Sequence, residues 1–129
     1  MRILLDTHVW LWLQAEPDRL AERTLRQLKD PANEIFLSAA STWEIAIKYA
    51  RGKLALPKPP RQYLPARMAQ SGTSGLAVEI RHTLRVATLP RHHRDPFDRI
   101  LVAQAQVERM PILTVDPEFR AYDVRLLAP

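Results

Sequence analysis

The sequence predicts an α/β domain in which helices cover both faces of a central, mostly parallel sheet of about five strands. Three observations support this. Short runs of branched apolar residues alternate with stretches of helical spacing, a pattern that requires crossover connections. The chain has 129 residues, 47% of them hydrophobic, which suits one domain spanning 1–129 with one core. Cysteine is absent, so disulfide scaffolds, thiolate metal sites and cysteine nucleophiles are excluded.

Residues 2–5 form the first strand, which stops at Asp6. Residues 7–13 are too densely aromatic and aliphatic for an exposed strand and predict a buried helix that Pro17 ends. Leu20, Leu25 and Leu28 among Glu22, Arg23, Arg26 and Lys29 predict an amphipathic helix closing near Asp30 and Pro31. Residues 34–38 are the second strand. A helix over 39–51 has no internal breaker, and Gly52 stands where a left-handed cap is wanted. Pro57, Pro59, Pro60 and Pro65 mark a stiff connection into a short helix over about 62–70, followed by a turn at 72–75. The apolar run 76–80 reads as a third strand, 83–88 as a short helix and 90–94 as a loop. A helix over 97–108 ends at Met110 and Pro111, and 112–115 and 124–127 complete the strands.

Charge narrows the function. Lys and Arg number 19 against 14 Asp and Glu, a net +5, and Arg81, Arg85, Arg91, Arg94 and Arg99 cluster with His82, His92 and His93 among them. The planar guanidinium fork suits phosphate oxygens, so a polyanionic partner is one reading; a solvated helix face followed by a polar loop is the other. Asp6 interrupts the N-terminal apolar run, and no run approaches the roughly eighteen residues of a membrane span. A cytoplasmic protein that is neither exported nor membrane-embedded is expected.

Four carboxylates stand at informative places. Asp6 follows the first strand, Glu44 lies within the 39–51 helix, Asp98 opens the 97–108 helix and Asp116 follows the strand at 112–115. Each has a local explanation: Asp6 as a helix cap, Glu44 in an ion pair with Lys48, Asp95 as N-cap with Pro96 at the first helical position, Asp116-Pro117 as a turn. Together they mean more, because parallel strands end on one edge and several acidic groups would then crowd one cleft. Like charges so placed either raise their pKa values or bind a cation. Oxygen ligands without cysteine favour Mg²⁺ or Mn²⁺, a chemistry suited to phosphodiester hydrolysis by metal-activated water.

Leu4-Leu5-Asp6-Thr7-His8, Ser38-Ala39-Ala40-Ser41-Thr42-Trp43-Glu44-Ile45, His93-Arg94-Asp95-Pro96-Phe97-Asp98-Arg99 and Leu113-Thr114-Val115-Asp116 occur in this order. In these four segments the chain resembles the PIN-domain ribonucleases, nearest to the VapC-type toxins of toxin–antitoxin pairs. The resemblance runs nearly end to end and is thinnest over 57–87. It implies a PIN-like three-layer sandwich and a metal-dependent endoribonuclease that cuts RNA, such as tRNA or another structured RNA. It further implies a cognate VapB-like antitoxin and a homodimer. Metal ligation and catalysis map onto Asp6, Glu44, Asp98 and Asp116, with Asp95 as an extra ligand. Thr7, Thr114 and Ser38 become polar supports of those ligands, and Arg91, Arg94 and Arg99 become RNA contacts. At His8 the sequence departs from the family, many members of which carry Asn there.

Other residues have plainer explanations. His92 and His93 suit phosphate contact or solvation better than metal ligation. Trp10, Trp12 and Trp43 could stack on bases, but helices this apolar place them in a core or a subunit interface. Ser38 and Thr42 lack an identifiable base, so capping or water orientation outranks nucleophilic chemistry. Two other classes remain. A phosphoacceptor domain would need an acidic residue after a middle strand and a lysine near the last, whereas Ser38 follows Leu37 and none of the lysines lies beyond Lys58. A non-catalytic RNA-binding or scaffold module would keep the fold without the chemistry.

Overall fold

The computed structural model describes residues 1–91 and 95–129. The strands are β1 (Arg2–Leu5), β2 (Glu34–Ser38), β3 (Thr73–Leu76), β4 (Ile112–Leu113) and β5 (Leu126–Leu127). The helices are α1 (Thr7–Ala15), α2 (Glu22–Lys29), α3 (Ala39–Ala50), α4 (Pro60–Gln70), α5 (Ile80–Val86) and α6 (Pro96–Glu108). All five strands pair in parallel in the order β3-β2-β1-β4-β5.

Side-chain alternation along β1 separates the core into two layers. Ile3 and Leu5 face Val9 and Trp10 of α1, Leu28 of α2, Ile45 of α3 and Leu64 of α4. Leu4 points the other way, toward Leu101, Val102 and Ala105 of α6 and toward Phe119 and Tyr122. Both layers are closed, which is why β1 is apolar and buried from Ile3 to Leu5 and why the molecule is the three-layer sandwich expected.

The third strand lies earlier than its apolar run predicts. Thr73 to Leu76 pair with Ile35 to Ser38, while Val78 and Ile80 are exposed. Gly72, at φ 64, turns the chain straight out of α4 into the sheet. The expected helix over 83–88 correspondingly starts at Ile80, set by a capping box in which Glu79 and His82 bond each other's backbone amides. The proline-rich connection also helps build a helix: Pro60 opens α4, and Pro65 lies inside it. Among the described residues no helix is long and apolar enough to cross a membrane.

Candidate functional site

The sheet order reverses direction at β1: the chain passes to β2 on one side and later to β4 on the other. Open parallel sheets place ligands at the carboxyl ends of strands flanking such a switch point. Asp6 stands there at the end of β1 and is 5% exposed. Its backbone leads into α1, but its carboxylate does not cap that helix. Asp6 Oδ2 instead accepts a 2.7 Å bond from the hydroxyl of Thr114, beyond the end of β4. The same hydroxyl accepts the backbone N–H of Asp116 at 3.0 Å, so one threonine ties both aspartates to this edge.

The other side of the site is built by α1 and α3. Thr7 Oγ1 lies 2.9 Å from Glu44 Oε1 and 2.8 Å from Ser41 Oγ. A hydroxyl has one proton, and its donation to the carboxylate makes the stronger, charge-assisted bond. Lys48 Nζ donates to Glu44 Oε2 at 2.8 Å. The Glu44 side chain is only 8% exposed, so this is not the open surface pair that the i, i+4 spacing alone suggests. Ser41, 1% exposed, was not singled out from the sequence; its place one turn before Glu44 was the available signal.

Burial pushes the Asp6 carboxyl above the usual carboxylate range. The Thr114 hydroxyl, His8 and the Thr7 amide pull it back, and the charge on Glu44 adds to the rise. Two carboxylates therefore feel one another across a poorly solvated space.

Asp95 and Asp98 come from α6. Asp95 caps that helix, accepting the Phe97 amide at 2.9 Å, and it shares a cavity wall with Glu44. Asp98 stands half-buried in the first turn, immediately after Phe97 of the same cavity. The bonds and the shared cavity bring Asp6, Glu44 and Asp95 to one edge and tie the Asp116 backbone to it, while the Asp116 carboxylate caps the next turn by accepting the Glu118 amide at 2.9 Å. No three of these carboxylates bring their oxygens within 4.8 Å of one another.

Among the described residues, the one trio that close is Glu79, His82 and Glu108, away from this edge. His82 Nδ1 accepts the Glu79 amide, so Nε2 carries the proton that bonds Glu108. Both ring nitrogens are thereby engaged, and Arg81 also pairs with Glu108. This group fastens α5 to α6 and has no nitrogen to offer a metal.

The remaining expected residues divide. Ser38, fully buried, caps α3 by accepting the Ala40 amide. Thr42 bonds its own helix at Ala39. Arg99 donates to the carbonyls of Pro90 and Val86 and to the Tyr122 hydroxyl, anchoring the end of α5 and Pro90 to α6. Arg91 is exposed, and Arg94, His92 and His93 lie outside the described residues. Trp10 is core, bonding Thr73 through its indole N–H, and Trp12 is half-buried with the Arg19 guanidinium 5.0 Å from its ring centroid. Trp43 is 63% exposed and meets Phe97 edge-on at 5.2 Å.

Residues 3–125 match the model of the PIN domain family. The chain belongs to the PIN-domain family. Ribonuclease VapC22 of Mycobacterium tuberculosis is 29% identical over 120 residues, covering 93% of this PIN domain and 91% of that protein. Ribonuclease VapC16 of the same organism is 54% identical over 56 residues, 43% of this chain and 40% of its own length. The aligned part of this chain therefore spans less than half of VapC16. The crystal structure of VapBC2 from Rickettsia felis, bound to a DNA fragment from its promoter, superposes with a TM-score of 0.76. It covers 99% of this PIN domain and 98% of that chain at 14% identity, a likeness of fold.

Proposed function

We propose that this PIN domain is a metal-dependent endoribonuclease of the VapC type, acting as the toxin of a toxin–antitoxin pair. The observation that supports this best is the joining of Asp6 to the end of β4 through Thr114 and of Glu44 to the start of α1 through Thr7. Residues far apart in sequence thereby face one poorly solvated space, where burial and mutual repulsion oppose ionisation. An all-oxygen donor set under that strain fits Mg²⁺ or Mn²⁺, held by Asp6, Glu44, Asp98 and Asp116, with Asp95 as a further ligand. Such an ion supplies an activated water and charge stabilisation at the phosphorus. The chain's own residues prepare for it: Thr114 fixes the direction of Asp6, Thr7 fixes Glu44, and the low exposure of both excludes competing water.

RNA is the substrate proposed, gripped by arginines of the segment before and within α6, Arg91 and Arg94 foremost. Arg99 acts there by holding the carbonyls of Val86 and Pro90. A VapB-like antitoxin would restrain the activity in the cytoplasm, in the manner of the VapBC complexes that share the fold. The chain would also form a homodimer through the exposed apolar surface of Trp43, Ile80 and Leu84.

Purified protein should cleave RNA with Mg²⁺ or Mn²⁺ and stop with EDTA. Asp6→Asn and Asp98→Asn should each abolish cleavage while the circular-dichroism spectrum is kept. Full activity in Asp6→Asn would overturn the proposal. A calorimetric titration with no metal uptake would favour a non-catalytic RNA-binding module instead. Co-expression with the product of a small neighbouring reading frame should relieve growth arrest.

A further inference from the structure

The acidic edge has a basic wall. A cavity of about 280 Å³ is lined by the acidic Glu44 and Asp95 together with the basic Lys48, Arg51 and Lys53, and by Phe97. Helix geometry accounts for part of this: Glu44, Lys48 and Arg51 fall at i, i+4 and i+7 on one face of α3 and its cap. Gly52 completes it. At φ 70 it reverses the chain, and the Lys53 amide bonds the Lys48 carbonyl at 2.9 Å, closing a Schellman turn that returns Lys53 to the Lys48 side. Cations at a helix C-terminus ordinarily complement the dipole and face water. Here they share an enclosure with two proposed metal ligands, and Lys48 already bonds one of them at 2.8 Å.

Resting on the nuclease reading above, we propose that Lys48, Arg51 and Lys53 form the seat for an RNA phosphate beside the metal centre. Lys48 exchanges partners there. It holds Glu44 Oε2 in the free protein and turns to a non-bridging phosphate oxygen when cation and RNA arrive. It is therefore a competitor of the metal for Glu44 and, with Arg51 and Lys53, a contact for the substrate. No bond to phosphorus is made or broken by these residues, and Lys48 remains an ammonium throughout.

The two roles predict opposite signs. In EDTA, binding of a fluorescein-labelled RNA oligonucleotide, read by anisotropy, should weaken about tenfold at physiological salt in Arg51→Gln/Lys53→Gln, since each lost phosphate contact removes counterion release. The slope of log affinity against log salt should fall by about 1.4 for two contacts on a single strand. Lys29→Gln, on the exposed end of α2, is the control and should bind as wild type. Calorimetric titration with Mn²⁺ should show Lys48→Gln binding roughly two- to fivefold more tightly than wild type, because a competing cation has gone. A merely structural lysine would leave that affinity unchanged or weaken it. Unaltered RNA affinity and salt slope in the double variant, or unaltered or weaker Mn²⁺ binding in Lys48→Gln, overturns the inference while the nuclease reading stands. Wild-type protein that takes up neither Mn²⁺ nor RNA overturns both.

Discussion

At Asp6 the sign of the pKa shift decides how stability depends on pH. Its folded carboxyl titrates above the ordinary value, chiefly through burial, so the folded state binds the proton more tightly than the unfolded chain. That contribution favours folding below the unfolded pKa and is lost as pH rises through the folded one, the reverse of a salt-bridged aspartate. Asp6→Asn carries no charge at any pH. In EDTA near pH 7 it should melt roughly 2–4 °C above wild type, with the gap closing toward pH 4, as differential scanning fluorimetry would show. Thr114→Val removes the 2.7 Å bond that aims Asp6 and should weaken Mn²⁺ binding by about tenfold in calorimetry. Chain position alone made the aspartates legible, since each follows a strand or stands at a helix start, whereas Glu44 lies inside α3. The orientation of Glu44 was not legible, because it depends on Thr7 and Ser41, which a tertiary contact brings to it.

Among the elements, α6 shows how local signals succeed and where they stop. Asp95, Pro96 and Asp98 occupy the N-cap, first and third helical positions, as their residue types predict. The other end departs from the glycine rule: Arg109 stands in the left-handed region at φ 56. A side chain there is strained, so Arg109→Gly should raise stability by about 0.5–1 kcal/mol in urea denaturation with activity unchanged. Sequence reasoning failed at β3 for a related reason. Thr73, Ser74 and Gly75 lack the apolar alternation of a strand, yet an edge strand needs only backbone pairing, and β2 supplies it. The richer run from Leu76 to Ile80 looked like the strand, but the Glu79 and His82 capping box turns it into the start of α5.

For the molecule as a whole, α5 presents two faces with different fates. His82 points inward, fully buried on Glu108, while Ile80 and Leu84, four residues apart on the opposite side, are 77% and 67% exposed. Trp43 adds a third large apolar side chain, and Val78, Val86 and Ile100 line an apolar groove running from α3 to α6. Leaving Ile and Leu in water forgoes about 1.5–3 kcal/mol each, so a second copy covering this face gains a favourable term from both sides of a two-fold axis. Phe97 belongs to this groove and also to the cavity that holds Glu44 and Asp95. The apolar face and the acidic edge are therefore two sides of one wall. Ile80→Glu/Leu84→Glu should convert a dimer to a monomer in sedimentation velocity without changing the fold, since neither side chain is in the core. Its RNA cleavage should fall as well, because Phe97, whose amide bonds Asp95 and whose ring meets Trp43, lines both the groove and the acidic cavity. A variant that sediments as wild type would show that this face is not where two copies meet.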